Sequence, residues 1–164
     1  MSGVKIRYMD RQDWPDVAGI YQAGMDTNLA TFETECPSWD EWDRVRAKEC
    51  RLVAVLGDRV VGWASIMPTS ERCVYAGVCE VSVYVSPGAK GKGVGTALLT
   101  KLCGVAQREG YWTLTSSIME NNEASISLHK KCGFRVVGYR ERIGKDAAGE
   151  WRNTVLMELR NSVK

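Results

Sequence analysis

The 164-residue sequence lacks any run of eighteen apolar residues, so no stretch of it reads as a membrane-spanning helix. Met1 to Met9 holds no apolar core of a secretory signal, so no export is expected. Charge of one sign is also scarce. Twenty-two Lys and Arg against 20 Asp and Glu leave a net +2, too little to call for nucleic acid or a membrane surface as partner. There is one histidine, and the six cysteines, at 36, 50, 73, 79, 103 and 132, form no C-x-x-C pair and no group with it. Neither a metal site nor a redox dithiol is expected from that spacing. Several of these cysteines fall within apolar patterns, where a free thiol packs as a small hydrophobe. A reducing compartment suits them, and the expected location is the cytoplasm.

What is present fits one globular domain over 1–164. Hydrophobic residues make up 45% and charged residues 26%, so neither disorder nor a fibrous class is indicated. Val4 to Met9 alternates with the period of a strand. Asp10 then caps a helix through Met25, with Trp14, Val17, Ile20 and Tyr21 at helical spacing. Ser38-Trp39-Asp40-Glu41 has the form of a capping box and opens a second helix towards Cys50. Leu52 to Leu56 and Val60 to Ile66 are strands joined by Gly57-Asp58, a hairpin signal. Glu80 to Val85 is a further strand, ended by Ser86-Pro87-Gly88. After a glycine-rich turn, Leu98, Leu99, Leu102 and Ala106 mark a helix that Gly110 stops. Tyr111 to Ile118 reads as strand, Asn122 to Cys132 as helix stopped by Gly133, and 135–143 with 151–159 as a closing pair of strands. With no repeats or linker, one α+β domain is the economical reading.

The turn Lys90-Gly91-Lys92-Gly93-Val94-Gly95-Thr96 joins a strand to a helix. Alternating glycines let backbone N–H groups converge on a ligand, and the helix start adds partial positive charge and free donors. Lys90 and Lys92 add more. The combination suits a pyrophosphate, and equally a plain tight connection. The spacing is not that of an NTP-binding P-loop. A dinucleotide fold would place its glycines after the first strand, whereas these follow the fourth.

The strand Glu80-Val81-Ser82-Val83-Tyr84-Val85, the turn Lys90 to Gly95, and Asn122-x-x-Ser125-x-x-Leu128-His129-x-x-x-Gly133-Phe134 together resemble the GCN5-related N-acetyltransferase superfamily. Within it, the sequence is most similar to phosphinothricin and methionine-sulfoximine acetyltransferases, from Ile6 to Leu159. The resemblance implies an α/β/α sandwich: a mixed, mostly antiparallel sheet, flanked by helices, whose strands splay at a bulge to admit acetyl-coenzyme A. By that resemblance, Val83, Tyr84 and Val85 hold the pantetheine arm and a backbone N–H there polarises the thioester carbonyl. Residues Gly91, Lys92, Gly93, Val94, Gly95 and Thr96 cradle the pyrophosphate, and Asn122 contacts the pantetheine. Lys90 stands where the family carries arginine or glutamine, keeping charge but losing bidentate geometry.

The resemblance also implies the chemistry. Glu80 matches a glutamate at the catalytic centre that takes the acceptor's proton, directly or through one water. His129 occupies a position where many members carry a tyrosine and the phosphinothricin-type enzymes a histidine, so it is a second catalytic candidate, as base or as acid. Phe32, Glu33, Arg72 and Tyr75, with Glu80, Val81 and Ser82, fall where similar enzymes hold the acceptor, and a guanidinium at Arg72 suits a carboxylate or phosphinate. A second basic residue expected two positions earlier is Ser70. The implied function is direct acetyl transfer from acetyl-coenzyme A to the α-amine of a small amino-acid-like acceptor such as phosphinothricin, methionine sulfoximine or methionine sulfone. No cysteine matches a motif that would activate it, so no acetyl-enzyme is expected. Similar enzymes are homodimers. The competing classes are a non-catalytic coenzyme-A-binding module and a peptide or polyamine acetyltransferase.

Overall fold

The computed structural model describes residues 3–161. Seven strands, β1 (Val4–Tyr8), β2 (Arg51–Leu56), β3 (Arg59–Pro68), β4 (Val78–Val85), β5 (Thr113–Met119), β6 (Arg135–Lys145) and β7 (Trp151–Arg160), form one sheet. Their order is β1-β2-β3-β4-β5-β7-β6. Every neighbouring pair is antiparallel except β4 and β5. The α-helices are α1 (Trp14–Asp26), α2 (Trp39–Val45), α3 (Val94–Arg108) and α4 (Glu123–Lys131). The mixed, mostly antiparallel sheet between helical layers is the expected α/β/α sandwich.

Strand alternation feeds two cores. Leu52, Ala54, Ala64, Ile66, Cys79 and Val81 join Leu98, Leu99 and Leu102 of α3 on one side of the sheet. Val53 and Trp63, whose neighbours in sequence serve the first core, join Val17 and Tyr21 of α1 and Trp42 of α2. A period of two in the strands and 3.6 in the helices builds both layers.

The helix boundaries follow from local bonds. Asp10 and Asp13 form a capping box over a short 3-10 turn that leads into α1. Ser38 and Glu41 form the second box, with Glu41 N–H donating to Ser38 Oγ at 3.3 Å and Ser38 N–H to Glu41 Oε2 at 3.1 Å. The helix it opens stops at Val45 rather than running towards Cys50. Arg51 is the reason: its guanidinium donates to the carbonyls of Asp43 and Arg46 at 2.9 and 2.8 Å, closing the helix end. Arg46 itself turns extended (φ −104°, ψ 134°), and Ala47 N–H bonds to Ile66 of β3.

The pattern from Leu128 to Phe134 also has a structural cause. Gly133 is left-handed (φ 99°), its N–H donates to Lys130 and that of Phe134 to His129, the bonds of a Schellman ending. The Phe134 ring closes edge-on against His129, with centroids 5.1 Å apart. Four residues between His129 and Phe134 are what this ending needs, and it pins the imidazole.

Candidate functional site

The site begins where β4 and β5 part. They pair only at Val78–Thr113, Cys79–Leu114 and Glu80–Thr115. Beyond Glu80, β4 stays on β3 as far as Val85, while β5 stays on β7 as far as Met119. Alternate N–H and C=O groups of 81–85 therefore face a widening gap. No register shift interrupts the β3–β4 ladder, so the splay here comes from divergence of the parallel pair and not from the bulge the resemblance implied. The gap opens into a cleft of about 800 Å³, with Val81, Ser82, Val83, Tyr84 and Val85 on one wall and Ser116 to Met119 on the other.

At one end lies the glycine turn. Gly91 and Gly93 have φ of 79° and 78°, a region that costs an L-residue about 1–2 kcal/mol. Gly93 precedes α3 with no side-chain cap, leaving the first N–H groups of the helix without intrahelical partners. Lys90, Gly91, Gly93, Val94, Gly95 and Thr96 line the cleft; Lys92 points to solvent outside it. A side chain at Gly95 would meet Leu128 of α4 at 3.2 Å, so the helix start is pressed against the opposite rim. A basic groove with Lys101, Arg108 and Lys131 continues from Gly93 and Thr96 along α3. Backbone donors, helix dipole and lysines together favour a polyanion.

The segment after α1 roofs the middle of the cleft with Leu29, Thr31, Phe32 and Glu33. It is tied down from three sides. Asn122 Nδ2 donates to the Leu29 carbonyl at 3.1 Å, Ala147 N–H to Asn28 Oδ1 at 2.9 Å, and Tyr21 OH to Glu33 Oε2 at 3.0 Å. Asn122 also caps α4 by accepting from Ser125 N–H at 3.2 Å. Its amide thus joins roof to helix as well as lining the cleft.

Glu80 occupies the last paired position before the strands part. It is half-buried, and burial raises its pKa above the ordinary carboxylate range, against the opposing pull of Arg46 and Arg140. His129 is 4% exposed and lines the same cleft. Its Nδ1 lies 2.7 Å from the Ser125 carbonyl, which only accepts, so Nδ1 carries the proton and Nε2 keeps a lone pair. Burial lowers the histidine's pKa, partly opposed by that bond. A neutral imidazole with one open lone pair is a proton acceptor.

Tyr84 stacks on Trp63 at 5.0 Å between centroids and tilts against Tyr21 at 4.8 Å. Gly24 of α1 makes room, since a Cβ there would sit 2.6 Å from the Tyr84 ring. Burial pushes the Tyr84 phenol up to about 12, so it stays protonated.

Arg72 and Tyr75 lie elsewhere. Both are exposed on the β3–β4 connection, the guanidinium over the tyrosine ring at 5.6 Å, and neither lines the cleft. The arginine that does is Arg46, which the sequence reading did not single out. It is 6% exposed and donates to Ser65 Oγ and Ser82 Oγ at 2.9 and 2.8 Å. Its charge sits over the rings of Trp63, Trp42 and Tyr21. Among the described residues no carboxylate pairs with it. No local pattern marks it, because its two serine partners come from distant strands.

Comparison with known proteins bears on this geometry. The profile of the acetyltransferase (GNAT) family matches residues 14–134. A phosphinothricin N-acetyltransferase of Alcaligenes faecalis is 32% identical, over 93% of this chain and 80% of its own length. An L-methionine sulfoximine/L-methionine sulfone acetyltransferase of Pseudomonas paraeruginosa is 29% identical, over 94% of this chain and 92% of its own. A GNAT phosphinothricin acetyltransferase of Sinorhizobium meliloti, solved in complex with acetyl-coenzyme A, superposes with a TM-score of 0.87 at 28% identity, covering 96% of this chain and 88% of that one. With a splayed β4–β5 pair, a helix-start nest of glycines and these relatives, the chain belongs to the acetyltransferase (GNAT) family and is an N-acetyltransferase.

Proposed function

We propose that the chain transfers acetyl from acetyl-coenzyme A to the α-amine of a small amino-acid-like acceptor of the phosphinothricin, methionine sulfoximine or methionine sulfone type, in one direct step. The observation that carries this is the placement of Glu80, half-buried with a raised pKa, at the point where β4 and β5 part. The relatives supply the acceptor class.

The residues present fit acetyl-coenzyme A. The nest at Gly91 to Thr96 suits its diphosphate, with Lys90 beside it. The basic groove of Lys101, Arg108 and Lys131 suits its terminal phosphate. The freed main-chain groups of Val83, Tyr84 and Val85, with Asn122 opposite, suit the amide-bearing arm. When bound, it supplies a thioester carbon for attack.

This chain's residues handle the protons and the orientation. An acceptor ammonium gives one proton to Glu80, directly or through one water, and its nitrogen gains the lone pair that forms the new C–N bond. A main-chain N–H of β4 donates to the carbonyl oxygen as charge develops there. The C–S bond breaks, and the second nitrogen proton ends on the departing sulfur. His129 Nε2, a lone pair facing the cleft, can take that proton and hand it on. No cysteine lines the cleft among the described residues, and burial pushes the thiols of Cys50, Cys79 and Cys103 up to about 12, which supports direct transfer.

We extend the reading to a cytoplasmic homodimer without nucleic-acid or membrane partners. Tyr139, Ile143 and Trp151 are large apolar side chains left exposed on β6 and β7, and sedimentation of the purified protein tests the dimer. The acceptor is tested with a panel of free amino acids and analogues beside a peptide and a polyamine. Turnover of the free amino acids supports the reading; turnover confined to the peptide or polyamine overturns it.

A further inference from the structure

The structure assigns Arg46 as the specificity-determining residue that takes the acceptor's α-carboxylate, so that the enzyme selects zwitterions over simple amines. This rests on the proposed acetylation of an amino-acid amine and names how the same cleft recognises that class.

Three observations meet at Arg46. First, it is sunk to 6% exposure yet lines the cleft, and no carboxylate among the described residues forms a direct ion pair with it. A buried cation without a counter-ion is strongly unfavourable unless an anion arrives. Second, its hydrogen bonds leave a free end. Nη1 is held by Ser65 and Ser82, and Nε is sealed from solvent without a partner. Among the described residues Nη2 has no hydrogen-bond partner, and it is not among the sealed atoms, so it is the nitrogen open to the cleft. Third, the two serines face each other across β3 and β4, and Ser82 stands two residues from Glu80 on the same face of the strand. That spacing is roughly 7 Å along the strand, so the Glu80 side chain and the guanidinium held by Ser82 open onto neighbouring stretches of one cleft. The ammonium faces the carboxylate of Glu80 and the carboxylate faces the guanidinium of Arg46.

The groups near Arg46 agree with this arrangement. The carboxylates within electrostatic reach are Glu33 and Glu80, but Glu33 is engaged by the Tyr21 hydroxyl and Glu80 is needed as proton acceptor, while the phenols of Tyr21 and Tyr84 are neutral. The aromatic rings of Trp63, Trp42 and Tyr21 fix the guanidinium plane by cation–π contact without cancelling its charge. A neutral amide in place of the carboxylate would leave the buried cation unmatched.

The test compares methionine sulfone with its α-carboxamide, in the wild-type enzyme and in Arg46→Met and Arg46→Lys. Wild type should favour the free acid by roughly 100-fold in kcat/KM, the worth of one charge-assisted pair. Arg46→Met should lose that preference by losing rate on the acid alone, with KM for acetyl-coenzyme A unchanged. Arg46→Lys, which keeps the charge without the fork, should recover part of it. A merely structural arginine would lower both substrates together, and that result overturns the assignment. An Arg46→Met enzyme that still favours the acid overturns it too, while the acetyltransferase reading stands. Equal wild-type rates on acid and amide overturn it without any variant. A wild type inactive on both but active on a peptide or polyamine overturns both the assignment and the proposed acceptor class.

Discussion

The two ends of the cleft are built from different materials. The anion end is main chain: left-handed glycines, a helix start and N–H groups, all within Lys90 to Thr96. The other end, where the acceptor is proposed to sit, is side chain: Glu80 and Ser82 from β4, Arg46 after α2, Glu33 from the roof and His129 from α4 line it. A main-chain site needs little more than a local run of residues, so it recognises a ligand part common to many reactions. A side-chain site draws on distant elements, each of which can change without disturbing the others. General binding and particular chemistry are thereby separated in space.

Removing the proposed proton acceptor, Glu80, should have the largest effect. Glu80→Gln is expected to lower kcat by roughly 10²–10⁴-fold while leaving acetyl-coenzyme A affinity, set at the other end, unchanged by titration. The variant should fold at least as well as wild type. With the folded pKa raised above the unfolded value, the folded state binds this proton more tightly, so ionised Glu80 disfavours folding above its folded pKa and that penalty fades as pH falls. Thermal melting of Glu80→Gln at neutral pH therefore should show no loss. In wild type, kcat/KM should fall on the acid side with an apparent pKa above that of an ordinary carboxylate, and Glu80→Gln should abolish that limb of the profile.

Breaking the main-chain end should give the opposite split. Gly93→Val forces a β-branched residue to φ near 78°, which is costly by more than about 1–2 kcal/mol and tilts the N–H groups. The KM for acetyl-coenzyme A should rise by at least roughly 10-fold, with the ranking of acceptors untouched. A changed ranking would mean that the two ends are not separable.

His129→Gln should cost less than Glu80→Gln, about 10-fold in kcat, because a relay can be partly replaced by water. Its lowered pKa also means that stability falls as pH drops through about 6.5, the unfolded value, since the unfolded chain takes the proton more readily. The stability difference between wild type and His129→Gln should be constant above neutrality and shift against wild type as pH falls below about 6.5. The smallest change is expected from Asn122→Ala, which removes a helix cap and the tie to Leu29. About 1 kcal/mol of stability should be lost, with a modest rise in KM for both substrates.

The same division explains what could be read from sequence. The glycine turn, the Ser38 capping box and the Gly133 stop are local patterns, and each appears in the structure where its spacing put it, while the Asp10 cap gains a partner in Asp13 that the sequence reading did not name. The early end of α2 was hidden, because Arg51 closes that helix with a side chain five to eight residues away. Arg46 was hidden for a longer-range reason: the serines that hold it lie 19 and 36 residues on. The β3–β4 connection shows the converse. Arg72 and Tyr75 pair with each other at the surface and do not reach the cleft within one chain. The gap between β4 and β5 was legible only through resemblance, since nothing in a strand's alternation says where its partner will leave it.

Isothermal titration of the purified protein with acetyl-coenzyme A tests the central claim most directly, in parallel with Glu80→Gln and Gly93→Val. The expected result is one site per chain, of equal affinity in wild type and Glu80→Gln and weakened in Gly93→Val. No heat of binding in the wild type would contradict the assignment of the β4–β5 opening as the acetyl donor's site.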